Sequence, residues 1–279
     1  MPSMKGIKRR KASVSNTKQI MKAMNLVAAS RLQKAKTRLN AVRMMFEETK
    51  RIMNSIKGGA DSVFFNAREV KNTAYIIITS DRGLCGGYNA NISKAALSHM
   101  QAGKSEKIIM VGVKGWEYFK RRGKNLLIKH VNVSGATFFE NAERLAGQVI
   151  ALYTSGEVDE VYLAYTYYAS TLSHVPRVEK ILPVGGSTPA MPDSGNSPYD
   201  PDIGTFLEHT IPMYLGVLIN GAMAESAVCE YAARMTSMDA AANNATEIIE
   251  KLTLEYNRKR QGIITQEINE IVSGANALQ

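Results

Sequence analysis

From Ile7 to Lys57 the chain holds no glycine or proline; Gly6 precedes the run and Gly58-Gly59 follow it. Glycines so placed stop helices. Alternating steps of four and three residues pick out Met21, Asn25, Ala28, Leu32, Ala35, Leu39, Val42, Phe46, Thr49, Met53 and Ile56, and nine of these eleven positions are apolar. That is a sustained coiled-coil seam, on a helix of roughly 75 Å if continuous.

The period changes from about Asn72 to Val184. Apolar, β-rich runs occur at Ala74–Thr79, Lys107–Val113, Leu126–Val133 and Val158–Tyr167, with a weaker one at Val175–Val184. Helical patterns at Asn91–Met100, Trp116–Arg122 and Phe138–Thr154 lie between the early runs. Strands alternating with helices predict a parallel-sheet α/β domain. The last two runs follow one another without a helix, which predicts an antiparallel edge pair.

Eight of the twenty residues of Gly185–Gly204 are Gly or Pro, a linker by composition. Beyond it, Thr205 with Glu208 fits a capping box, and Pro212 predicts a kink or a restart of the helix. A second seam reads Val228, Tyr231, Met235, Met238, Ala242, Ala245, Ile249, Leu252, Tyr256, with Lys259 as a polar break. After Gly262 it resumes one step over, as Ile264, Ile268, Ile271, Ala275 and Leu278. The segments are therefore 1–58, an N-terminal coiled-coil helix; 72–184, an α/β domain; 185–204, a linker; and 205–279, a C-terminal coiled-coil helix of roughly 110 Å. Pairing the end seams with each other gives an antiparallel coiled coil; pairing each with a second copy gives a dimer.

Charge sharpens this picture. Of the net +10, residues 1–57 hold 15 Lys/Arg against 2 Asp/Glu, and the rest of the chain has a balance of −3. One helix thus carries the whole positive excess and points to an acidic partner: nucleic acid, an anionic membrane surface or an acidic protein. A basic coiled coil that grips nucleic acid is one reading. Against it, the only aromatic in residues 1–57 is Phe46, which lies on the seam.

Chemistry is sparse. Cys85 and Cys229 are far apart and in no C-x-x-C pair, His99, His130, His174 and His209 are scattered, and G-x-G-x-x-G, H-E-x-x-H and G-x-S-x-G are absent. Gly103-Lys104-Ser105 lacks the first glycine of a P-loop, because position 98 is Ser98. No metal, cofactor or catalytic residue is expected. The stretches free of Asp, Glu, Lys and Arg at Val161–Pro176 and His209–Ala224 have 16 residues each, short of the ~20 that span a bilayer. The loop Ser80–Asn89, with Gly83, Gly86 and Gly87, reads as a tight strand-to-helix turn, or, less simply, as a cradle for an anion.

The end segments then supply a resemblance. Lys18-Gln19-Ile20-Met21-Lys22-Ala23-Met24-Asn25-Leu26-Val27-Ala28-Ala29-Ser30 resembles the N-terminal helix of the F-type ATP synthase gamma subunit, bacterial type. Glu230–Met235 with Met238–Ala241, and Tyr256–Ile268 with Glu270–Ala275, are similar to that family's C-terminal signature, and Thr79–Asn91 looks like its middle domain. The resemblance covers essentially the whole chain. It implies an α/β fold class: a long antiparallel coiled coil of N- and C-terminal helices plus a Rossmann-like globular foot.

It also implies a non-catalytic rotor shaft without cofactor. Such a shaft stands among three alpha and three beta subunits, binds epsilon, and sits on the c-subunit ring. Met24, Arg234, Gln261 and Thr265 would belong to the coupling contacts, and Arg260 and Gln261 would meet a beta-subunit loop. Nucleic acid is then no partner, and the protein is peripheral to the membrane. The lack of a transit peptide before Met1 suggests the cytoplasmic face of a bacterial membrane. The basic helix would act through many weak, screened pairs, so that no single exposed lysine, Lys36 for example, is essential.

Overall fold

The computed structural model describes residues 3–55, 63–65, 68–100, 105–133, 135–184 and 203–276. The linker expected at 185–204 lies almost wholly outside them, as do Gly58 and Gly59. The elements are α1 (Met4–Ser55), β1 (Asn72–Ile78), α2 (Tyr88–His99), β2 (Ser105–Val111), α3 (Val113–Lys120), β3 (Leu126–His130), α4 (Phe138–Thr154), β4 (Glu160–Tyr168), β5 (His174–Leu182) and α5 (Ile203–Asn276). A short 3₁₀ turn, Gly135–Thr137, precedes α4. The chain divides into two units, Ala29–Arg234 and Met1–Ala28 with Met235–Gln279.

The larger unit holds one five-stranded sheet in the order β3-β2-β1-β4-β5. The strands pair in parallel except for β4 with β5, which are antiparallel at the edge as expected. The central strand β1 is buried over Thr73–Ile78, which is why it reads as an unbroken apolar run. Tyr75 and Ile77 of β1 pack with Ile92 and Ala96 of α2, Ile108 and Met110 of β2, and Phe119 of α3. α4 buries Leu145, Ala146 and Val149, its i, i+1, i+4 stripe.

β4 outruns its neighbour. Its pairing with β1 ends at Ile77↔Ala164, while its pairing with β5 continues to Tyr168↔His174. Past that point side chains of α5 take over the vacated side. Thr166 N–H donates to Ser226 Oγ at 3.2 Å, Tyr168 N–H to Glu225 Oε2 at 2.6 Å, and Cys229 Sγ–H to the Thr166 carbonyl at 3.5 Å.

The end seams pair with each other. In the larger unit Phe46 packs on Gly221, Arg43 lies 3.8 Å from Glu225, and the charge of Arg31 acts on Glu230. As α1 runs back, α5 runs forward, so the pair is antiparallel. Gly221 is required by contact: a Cβ there would lie 2.3 Å from Phe46 Cδ2. Every predicted α1 seam position from Met21 to Thr49 is buried or half-buried. In the smaller unit Asn25 Nδ2 donates to the Met235 carbonyl at 2.9 Å. There Ile7, Met238, Ala242, Ala245 and Leu252 are buried, so the α1 side of the seam reaches past Met21.

Three expectations about α5 fail. The helix begins at Ile203, so Thr205 lies inside it and not at its N-cap position. It also continues through Pro212 without a restart. Ile211, Leu215, Leu218 and Ile219 are buried around that proline, and their packing outweighs one lost ladder bond. Finally, the described part of the resumed seam is not packed in the chain: Ile264, Ile268 and Ile271 are 45%, 53% and 72% exposed.

α5 also contains an 18-residue window apolar enough to cross a membrane, but 78% of it is buried inside the protein. Its hydrophobicity is that of a core helix.

Candidate functional site

The Ser80–Asn89 loop is closed on itself. Ser80 N–H donates to Asn89 Oδ1 at 2.9 Å, Asn89 Nδ2 donates to Ser80 Oγ at 2.7 Å, and Ser80 Oγ lies 2.7 Å from the Arg82 carbonyl that it serves as donor. Asp81 accepts Val113 N–H at 3.1 Å and Asn132 N–H at 2.9 Å. Val113 opens α3, so the carboxylate sits where a helix welcomes negative charge. Leu84 and Gly86 take left-handed φ of 62° and 54°. The tight-turn reading holds, since an anion would meet Asp81.

Arg234 of α5 is fastened to this loop. Its Nη2 donates to the carbonyls of Arg82 and Gly83 at 3.1 and 3.2 Å, and its Nη1 donates to Glu230 Oε1 at 2.7 Å. Burial pushes the Glu230 carboxyl above the ordinary carboxylate value, and Arg234 pulls against that shift. Arg234 is 9% exposed. Its guanidinium is thus committed within the chain.

The other resemblance-derived residues sit differently. Met24 is half-buried on α1, whereas Arg260, Gln261 and Thr265 are exposed on α5. Gln261 and Thr265 stand one turn apart, with Thr265 Oγ1 donating to the Gln261 carbonyl at 2.9 Å. Met24, Arg260, Gln261 and Thr265 belong to the smaller unit and Arg234 to the larger.

Lys36 corrects another expectation. It is not a freely exposed lysine, because its Nζ bonds Thr171 Oγ1 at 3.4 Å and lies 5.5 Å from the Tyr168 ring centroid.

Sequence reasoning missed Glu225 and Ser226, and gave no individual role to Glu230 or Asp81 within the segments it singled out. Glu230 carried a signal, four residues before Arg234 on a helix. Glu225 did too, as the carboxylate that ends a charge-free run. Its side chain is fully buried, and burial raises its carboxyl above the usual value, with the Tyr168 N–H and Arg43 opposing. Burial likewise raises both thiols. Cys85 and Cys229 share one cluster with Tyr88, so they are packing residues. Among the described residues no three His, Cys, Asp or Glu side chains gather as a metal site.

Comparison with known proteins places this arrangement. The family model described as ATP synthase matches residues 3–278. The ATP synthase gamma chain of Alkaliphilus metalliredigens is 42% identical, over 99% of both chains. That of Desulforamulus reducens is 40% identical over the full length of both. Among solved structures, a chain of the Euglena gracilis mitochondrial ATP synthase, from its F1 and c-ring assembly, has a TM-score of 0.74 at 18% identity, covering 99% of this chain and 94% of that one. A rotor chain of the same enzyme has a TM-score of 0.71 at 17% identity, covering 94% and 98%. These two share the fold: helix pair plus α/β unit. Full-length identity of about two residues in five carries the matter further, and the chain belongs to the ATP synthase gamma-chain family.

Proposed function

We propose that this chain is the central rotor shaft of the F1 part of an F-type ATP synthase. It couples ion flow through a membrane c-ring to ATP synthesis or hydrolysis at beta-subunit sites. The shaft itself is non-catalytic. Its partners are three alpha and three beta subunits, epsilon and the c-ring, and the assembly is peripheral to the membrane, on the cytoplasmic face of a bacterial cell. Residues 1–58 and 205–279 serve as the shaft and 72–184 as its foot.

Beyond family membership, one observation carries this reading. Every residue from Arg260 to Gly274 is exposed, although five of them are Ile or Val. A lone helix with apolar residues on open display is marginal in water, so a partner must cover it. Apolar side chains with few fixed hydrogen bonds suit a tip that turns inside a collar. At its base, Arg260 and Gln261 offer a guanidinium fork and an amide for contacts with a beta-subunit loop. Thr265 and Met24 extend the coupling contacts. Met24 offers a pliable thioether to a sliding neighbour, and Arg234 serves through the loop it braces.

The exposed cations of α1 give a distributed attraction to acidic beta-subunit surface. Lys22, exposed on α1, tests that better than Lys36: Lys22→Ala leaves coupled ATPase within a factor of about two. Abolished coupling would contradict a distributed attraction.

The decisive test is reconstitution of the purified chain with alpha and beta subunits. A single complex on size exclusion, with cooperative ATP hydrolysis that needs this chain, is the expected result. No co-elution and no change in ATPase would sink the proposal and return attention to nucleic acid as the acidic partner.

A further inference from the structure

A cleft of about 370 Å³ opens between α1, the turn before α4, and α5. Arg31, Lys34 and Arg38 contribute to it from one face of α1, at i, i+3 and i+7. Phe138 and Tyr231 supply aromatic wall, and alanines of both long helices line it as well. No carboxylate lines it. Among the described residues none of the three cations forms an ion pair, and Glu230, which feels the charge of Arg31, commits its carboxylate to Arg234.

Like charges at these spacings destabilise a helix. Here they gather at a concavity instead of spreading over a convex face. Arg38 is drawn inward: its guanidinium lies 6.0 Å from the Phe138 ring centroid, and so near Gly135 that a Cβ there would meet Nη1 at 1.5 Å. The absent side chain of Gly135 is what leaves room for it. Phe138 is also the first residue of α4, so the positive end of that helix lies at the same cleft.

We propose that this cleft binds a phosphate-bearing ligand of nucleotide size, with phosphates on Arg31, Lys34 and Arg38 and the base against Phe138 and Tyr231. The volume falls within the range of small-ligand sites. Guanidinium forks match phosphate oxygens two at a time, and an aromatic wall receives a flat base. The test of this site on the isolated chain does not depend on the rotor reading.

Equilibrium dialysis of the purified full-length chain against ADP, without divalent metal, is the experiment. Adenosine and inorganic phosphate are its comparison arms. Saturable binding of one ADP per chain is expected, with adenosine and phosphate each weaker by about tenfold or more, since each keeps only half of the recognition. Arg38→Ala and the exposed Lys34→Glu should each weaken ADP binding by about fivefold or more, with circular dichroism unchanged. Lys8→Ala, exposed elsewhere on α1, should leave it alone.

Phosphate binding as tight as ADP would overturn the nucleotide assignment. The site itself would be overturned by no saturable binding, or by equal losses in Lys8→Ala and Lys34→Glu, which would mark a general attraction of the basic helix for anions.

Discussion

Two stretches of α5 have similar appetites and opposite fates. Between Ile211 and Cys229 the helix is buried on nearly every face, including Leu215, Leu218, Ile219, Ala222 and Val228. Between Arg260 and Gly274 it is exposed on every face, though Ile263, Ile264, Ile268, Ile271 and Val272 lie there. Hydrophobicity along a helix states a need for cover and leaves the source of cover open. In the first stretch the chain's own sheet and α1 provide it. In the second nothing among the described residues does, and a partner must. The two arginines follow the same division: Arg234 is used up inside, and Arg260 is presented outward.

The sharpest way to break that comparison is to truncate both arginines. Arg234→Ala strands the half-buried Glu230 and frees two carbonyls of the Arg82–Gly83 loop. It should cost about 3–5 kcal/mol in urea unfolding of the isolated chain. Arg260→Ala should stay within about 0.5 kcal/mol and show its effect only as lost coupling in the reconstituted complex. Similar unfolding losses for both would end the distinction.

Next come two isoleucines of the same helix. Ile219→Ala, at a fully buried site, should cost about 3 kcal/mol. Ile268→Ala, 53% exposed, should be nearly neutral in the isolated chain and be felt only with partners present.

Gly221→Ala gives a smaller effect. Overpacking against Phe46 outweighs a helix-propensity gain of about 1 kcal/mol, for a net loss of about 1 kcal/mol. A Phe46→Leu background should recover part of it in a thermal melt.

The smallest effect concerns Glu225. Its folded-state carboxyl is raised above the unfolded value, so the folded protein holds the proton more tightly. Stability therefore falls as pH rises from the ordinary carboxylate value through the raised one. Glu225→Gln removes that dependence, and the stability of the variant relative to the parent should improve from pH 4 to pH 7. A constant difference across that range would mean that the carboxyl titrates alike in both states.

Much of this architecture is legible in the sequence, because periodicity reports which positions need burial. The α1 seam, the five strands and the antiparallel edge pair all follow from it. What failed or was missed depends on non-local partners. Pro212 reads as a kink or a restart, and the restart is excluded only once Ile211 and Leu215 are seen buried on either side of it. Ile264 and Ile268 read as seam because their spacing is right, and spacing does not name the covering surface. The capture of Arg234 by carbonyls some 150 residues away left no trace beyond Glu230 at i−4. The three cations on α1 were legible as charge; the hollow they ring was not, because Phe138 and Tyr231 come to it from distant parts of the chain.

The handover on β4 has a consequence for how the protein is made. Ribosomes deliver the five strands first, and Glu225 and Ser226 emerge only after the last of them. Until then Thr166 and Tyr168 hold out two N–H groups on an edge that β1 has already left, the kind of open edge that another nascent chain can pair with. Translation thus passes through an interval, some forty codons long between Leu182 and Glu225, in which the strands are complete in sequence and this edge still lacks its seal.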